Sequence, residues 1–158
     1  MPKIVPNLWF DGNAEEAAEF YVGLFPNSRI TNVLHHTSAG PGPEGSVLTV
    51  DFELDGQKFT GINGGDLFRF DEAVSFLIEA ADQAELDRYW EALTADGGEE
   101  SQCGWLKDRF GLSWQVVPAG WESMFQGDPE AAARATQAMF GMKKLDVAAL
   151  QAAYDGTA

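Results

Sequence analysis

Cysteine is almost absent from this chain: Cys103 is the single one among 158 residues. An intrachain disulfide is therefore impossible, and a reducing, cytoplasmic setting is expected. Histidine is scarce as well, with only His35 and His36. No run of about 18 apolar residues occurs, so no helix that crosses a membrane is expected. The opening residues, Met1-Pro2-Lys3-Ile4-Val5-Pro6, lack the apolar core of a signal peptide. Positive charge is in deficit: 10 Lys and Arg stand against 25 Asp and Glu, a net charge of -15. Such a surface repels phosphate backbones and anionic lipids, so neither nucleic acid nor a membrane is expected as a partner. Its plain consequence is solubility. No P-loop, no His-Glu-x-x-His, no Ser-His-Asp order and no paired-cysteine spacing is found.

What is present is a core-forming composition, 45% hydrophobic and 22% charged. A chain of this length buries roughly 70% of its unfolded surface and needs no disulfide or structural metal. Two helix signals organise it. One opens at Asn13 with Glu16 three positions on, followed by Ala17, Phe20, Tyr21 and Leu24. The other opens at Asp82 with Glu85, followed by Leu86, Tyr89, Trp90 and Leu93. Each reads as a capping box, in which the cap and the glutamate satisfy backbone donors that the first helical turn leaves orphaned. Each then carries one apolar stripe at the helical period, which must face a core. The two match at a constant offset of 69 residues, which points to a duplicated module.

The flanking segments repeat too. Apolar runs precede the helices at Ile4 to Phe10 and Val74 to Ala80. After the first helix, strands are expected over Arg29 to His36, Val47 to Leu54 and Gln57 to Asn63. In the second of these Leu48, Val50, Phe52 and Leu54 alternate with polar residues, so one face is apolar. Asp55-Gly56 reads as a two-residue hairpin turn. After the second helix, strands are expected over Glu99 to Cys103, Trp105 to Arg109 and Ser113 to Val117, interrupted by Gly104 and Gly111. The fold class is thus α+β, two βαβββ modules with curved mixed sheets and a C-terminal helical extension. The boundaries expected are 1–66, 67–119 and 120–158. In the extension, Asp128 caps with Pro129 in the first turn, Ala132, Ala135, Met139 and Met142 form an apolar stripe, and Asp146 caps a last helix carrying Leu150 and Tyr154. This tail is expected to lie on its own sheet or to form an arm to a second copy, and a homodimer is expected.

A duplicated βαβββ module resembles the vicinal-oxygen-chelate superfamily of glyoxalase, bleomycin-resistance and extradiol-dioxygenase proteins. Two stretches sharpen the likeness to its PhnB-like branch. They are Pro6-Asn7-Leu8-Trp9-Phe10-Asp11-Gly12 running on to Phe20-Tyr21, and Cys103-Gly104-Trp105 through Gly111-Leu112-Ser113-Trp114-Gln115 to Pro118. Many proteins of this branch carry the label 3-demethylubiquinone-9 3-methyltransferase. The residues lend methyl transfer no support, since no glycine-rich strand-to-helix turn for a nucleotide-like donor is present. The resemblance implies half-barrel sheets, a cavity, and metal ligands on the first and last strand of each module.

Those ligand positions are poorly stocked. Aligned by sequence, Ser75 falls at a usual histidine position, Gly61 at a usual acidic one, and Gln115 where the metal enzymes carry glutamate. Neutral groups leave a divalent charge unbalanced in a cavity of low dielectric, so no metal and no cofactor is expected. His35 and His36 point to opposite faces if both lie on a strand, and Asp51 or Glu53 could meet one of them; Glu79 ends the first strand of the second module. The residues expected to line a ligand site are Trp9, Asn63, Ser75, Cys103, Trp105 and Gln115. Ser113 shares a strand face with Gln115. Cys103 reads as an unactivated thiol, with Lys107 and Arg109 its nearest cations in sequence. The function expected is binding of an unidentified small molecule, aromatic or amphiphilic. The alternative is a lyase, isomerase or methyltransferase-type enzyme using the same cavity.

Overall fold

The computed structural model describes residues 2–157. The chain divides into two compact units, residues 1–70 and 71–158. The first contains β1 (Asn7–Phe10), α1 (Ala14–Leu24), β2 (Arg29–His35), β3 (Val47–Leu54) and β4 (Gln57–Asn63). The second contains β5 (Ser75–Ala80), α2 (Gln83–Thr94), β6 (Glu99–Glu100), β7 (Trp105–Lys107) and β8 (Ser113–Pro118). The helices α3 (Ser123–Gln126), α4 (Pro129–Phe140) and α5 (Val147–Asp155) follow. The sheet orders are β1-β4-β3-β2 and β5-β8-β7-β6, the same permutation in each unit. In both, the first strand pairs parallel with the last and the remaining pairs are antiparallel. The duplication read from the helix pattern is therefore a duplication of topology.

Alternation decides which face of each sheet is covered. In the first sheet Val50, Phe52, Leu54 and Phe59 are buried, and Phe52 stacks on Phe59 across the strands. Gly61 belongs to this covered face: a Cβ there would stand 3.2 Å from that of Ala14 on α1. Gly61 thus admits the helix and does not occupy a ligand position, a correction to the sequence alignment. Asp55 and Gly56 both have positive φ, as the two-residue hairpin joining β3 to β4 requires.

In the second sheet α2 buries Leu86, Tyr89, Trp90 and Leu93, the full stripe read from sequence. Trp90 also donates its indole N–H to Glu100 on β6 at 2.8 Å, which anchors the helix to the sheet's far edge. On α1 the buried line is Ala14, Ala17, Ala18 and Tyr21, with Phe20 and Leu24 only partly covered.

The two helix starts differ. Asp82 accepts from the Glu85 N–H at 2.9 Å, and Glu85 reaches back to the N–H of Ala81 at 3.2 Å, one residue before the cap. Asn13 makes no side-chain capping bond. The Ala14 N–H is instead satisfied from another strand, by Asn63 Oδ1 at 2.9 Å. Asp82→Ala is accordingly expected to cost about 1 kcal/mol and Asn13→Ala less than about 0.5, read by denaturant unfolding. A larger loss at Asn13 than at Asp82 would contradict this assignment.

Several strands are shorter than the sequence reading: β1 starts at Asn7 rather than Ile4, β6 ends at Glu100 rather than Cys103, and β7 ends at Lys107 rather than Arg109. Cys103 and Gly104 both have positive φ, and the Trp105 N–H closes a turn on Gln102 O at 3.0 Å. These two residues are the central pair of the turn between β6 and β7. In the tail, Ala131 and Ala135 are the buried line of α4, and Met142 lies beyond that helix. Asp128 and Asp146 do cap α4 and α5, accepting from Ala131 and Ala149 at 3.2 and 3.0 Å.

The tail is held by its own unit. Met142 O and Lys143 O accept the Cys103 and Gly104 amides, each at 2.8 Å. Gln83 uses both ends of its amide, donating to Leu145 O at 3.1 Å and accepting from the Val147 N–H at 2.7 Å. Among the described residues no helix is long and apolar enough to cross a membrane.

Candidate functional site

In the second unit α2 covers the face of the sheet that carries Trp114 and Val116. Ser75, Leu77, Ser113, Gln115, Trp105 and Lys107 project from the other face, because side chains alternate along each strand. The register brings them together: Ser75 lies opposite Ser113, Leu77 opposite Gln115, Trp105 opposite Gln115 and Lys107 opposite Ser113. Gln115 Nε2 donates to Ser75 Oγ at 2.9 Å, joining the outer strand β5 to the central β8. Ser113 is 1% exposed, and its Oγ has no hydrogen-bond partner. It stands in a recess of about 160 Å³ with Trp105, Lys107, Glu72 and Ser101 on the walls.

Lys107 and Glu72 form an ion pair at the rim. The hydrogen bond from Lys107 holds the Glu72 carboxyl below its ordinary range, and the same bond holds the lysine above its own. For Glu72 that stabilisation is present above the ordinary carboxylate range and is lost as pH falls through the lowered value. Glu72 is exposed and Lys107 half-buried, so solvent screens the pair and it orients Lys107 more than it stabilises the fold.

The residue that holds this strand in place is one the sequence reading passed over. Asp108 is 2% exposed. Its Oδ1 accepts from the N–H of Phe110 at 2.9 Å and of Leu112 at 3.1 Å, and its Oδ2 from the Trp114 indole at 2.9 Å. One carboxylate thereby closes the loop before β8 and ties it to the strand that carries Ser113 and Gln115. An aspartate three residues before Gly111 and six before Trp114 was the available signal.

The six residues expected to line a site divide between the units. Ser75, Trp105 and Gln115 come together on the helix-free face of the second sheet. Cys103 sits in the adjoining hairpin turn, partly exposed, with its thiol free. Trp9 and Asn63 belong to the first unit. The Trp9 indole donates to Gly65 O at 2.9 Å, its ring meets Phe68 edge-on at 4.9 Å, and a Cβ at Gly64 would stand only 2.3 Å from it. Asn63 spends its amide on Ala14 and on Val47 O, the latter at 3.1 Å.

The superfamily's metal does not suit these residues. Ser75 and Gln115 are neutral and bonded to each other, Glu79 is exposed, and Gly61 faces a helix. Asp51 accepts from Thr60 at 2.7 Å and Glu53 pairs with Arg29 at 3.2 Å, so neither acid turns to a histidine. Among the described residues no three His, Cys, Asp or Glu side chains converge as a metal site requires.

Paired βαβββ units of this topology, each with one helix-covered and one helix-free sheet face, define a protein of the glyoxalase, or vicinal-oxygen-chelate, class. Residues 2–117 match the family described as 3-demethylubiquinone-9 3-methyltransferase, and the chain belongs to that family. It is similar to a PhnB protein from Bacillus cereus named for the same family. That likeness has 34% identity and a TM-score of 0.68, over 75% of this chain and 100% of that one. It is similar in fold to protein PA1353 from Pseudomonas aeruginosa (21% identity, TM-score 0.60, 75% of this chain and 98% of that). The fold is shared also by the fosfomycin resistance protein FosX from Listeria monocytogenes, in a complex with Mn(II) and sulfate. There the identity is 16% and the TM-score 0.52, over 80% of this chain and 98% of that. No curated protein matches the chain.

Proposed function

We propose that this chain binds a small molecule on the helix-free face of its second sheet, without the metal centre usual in its superfamily. The Ser113 hydroxyl carries this reading. A buried hydroxyl left without a partner costs about 1–3 kcal/mol, and such groups persist where something else completes them. The recess around it, about 160 Å³, is smaller than the roughly 300–1,000 Å³ of a site that encloses a whole ligand. It suits one polar group of a ligand whose apolar body lies along Leu77 and the Trp105 indole. Gln115 and Ser75 supply the second polar contact. The ligand class that fits is a small amphiphilic compound with a hydrogen-bonding end.

The test separates binding from packing. Ser113→Ala removes an unsatisfied group, so the free protein is expected to be as stable as the parent or more so, by up to about 1 kcal/mol. Compounds that raise the parent's unfolding temperature in a thermal-shift screen are expected to bind Ser113→Ala and Gln115→Ala at least tenfold more weakly. A Ser113→Ala protein that is less stable yet binds normally would sink the proposal. The family's name points to methyl transfer; turnover of a methyl donor by purified protein, lost in Gln115→Ala, would replace binding by catalysis at the same face.

A further inference from the structure

Resting on the reading of the second sheet as a small-molecule site, we propose that Glu72 sets the charge class of its ligand: by holding Lys107 it admits uncharged polar ends and keeps carboxylates out. The pairing register places four polar side chains in one row across the sheet. Glu99 on β6 lies opposite Lys107 on β7, Lys107 opposite Ser113 on β8, and Ser113 opposite Ser75 on β5. The row stands on the helix-free face, its members on strands roughly 4.8 Å apart. Lys107 is thus the immediate neighbour of the buried, unpartnered Ser113 hydroxyl. Among the described residues that line the recess it is the one cation.

That ammonium is the group to which a ligand's carboxylate would turn, and it is already taken. Glu72 comes from the turn that leads into β5 and closes an ion pair with Lys107 at the mouth of the recess. Its carboxylate occupies the place that a ligand's own would need. Glu99 and Asp71 put two more negative charges within reach of the lysine. Glu100 spends its carboxylate on the Trp90 indole. An incoming carboxylate therefore meets like charges and a competitor tethered to the same chain, whose effective concentration is high.

An amide, ketone or alcohol meets neither obstacle. The Ser113 hydroxyl both donates and accepts, so it serves any of the three. Ser75 Oγ accepts from Gln115 Nε2 at 2.9 Å, which leaves its own proton to donate. The side chains of Lys107 and Glu72 are 35% and 60% exposed, so Glu72 acts by competition and not as a rigid lid. Its effect is one of selectivity between charged and uncharged ligands.

Benzamide and benzoate are the probes, because they share a shape and differ in charge. Ligand-detected NMR titrations give the affinity of each for the parent, for Glu72→Gln, for Glu72→Ala, and for Glu72→Gln combined with Lys107→Met, with urea unfolding to confirm that each protein is folded. The parent is expected to bind benzamide at least about fivefold more tightly than benzoate. Either change at Glu72 is expected to shift that ratio toward benzoate by at least about fivefold, the scale of one partly exposed ion pair. Adding Lys107→Met is expected to abolish the shift, which a merely structural role for Glu72 would not produce. A ratio that stays put in both folded Glu72 variants overturns the proposal, as does a shift that survives the loss of Lys107. In both of those cases benzamide binding that is lost in Ser113→Ala leaves the binding reading standing. Should neither compound bind any of the proteins up to about 10 mM, the binding reading falls and this inference falls with it.

Discussion

Asp108→Ala is expected to lower the stability of the second unit by about 3–5 kcal/mol, because it strands several buried donors at once. The N–H groups of Phe110 and Leu112 and the Trp114 indole all lose the Asp108 acceptor, the last two of them in buried surroundings. Asp108→Asn keeps the shape but presents an N–H where a donor already points, so about 1–3 kcal/mol is expected there. Urea unfolding followed by tryptophan fluorescence measures both. The same variants test the site, since Asp108 sets the loop that delivers Ser113: ligand binding should weaken in Asp108→Asn even where the protein remains folded. A loss below about 1 kcal/mol in the alanine variant would mean that the carboxylate is not the clasp described.

Leu145→Ala is expected to cost about 2–5 kcal/mol. Leu145 is 1% exposed and lies against Gly104 in the hairpin turn, between the backbone clamps at Cys103 and Gln83. Gly104 has positive φ, and any Cβ there would meet both Val116 O and Leu145, so the cavity left by truncation has no side chain to refill it. Because the tail docks on its own unit, the unfolding midpoints of parent and variant should not depend on protein concentration. A midpoint that rises with concentration would place the tail on a second copy.

Much of the fold was legible because it rests on local rules. The stripe of α2 was read residue for residue, since a helix with four large apolar side chains on one face has one way to bury them. The spans of β3 and β4 follow from alternation and from the Asp55-Gly56 turn, which accepts few other sequences. The same logic failed where a partner came from far along the chain. Asn13 was read as a cap, yet its side chain makes no capping bond; the first helical N–H, that of Ala14, is satisfied by Asn63, far away in sequence and adjacent only once β4 is laid beside β1. Cys103 was read as the end of a strand because nothing nearby forbids it. Two tail carbonyls hold its turn, and their approach has no trace in the local pattern.

The candidate site divides in the same way. Ser113 and Gln115 were placed on one face by strand parity and Ser75 beside them by the family resemblance, and the pairing of β5 with β8 sets Ser75 opposite Ser113. The importance of Asp108 did not show, because a lone aspartate in a sequence has no declared partner. Burial and three accepted hydrogen bonds give it its meaning.

The sequence by itself determined the repeated unit, its strand and helix order and the scarcity of metal ligands, since periodicity, capping and composition act over a few residues and need no partner. The tertiary structure alone decided which polar groups are satisfied and which are buried without a partner. A hydrogen bond needs two groups within about 3 Å, and only the folded chain brings distant residues that close.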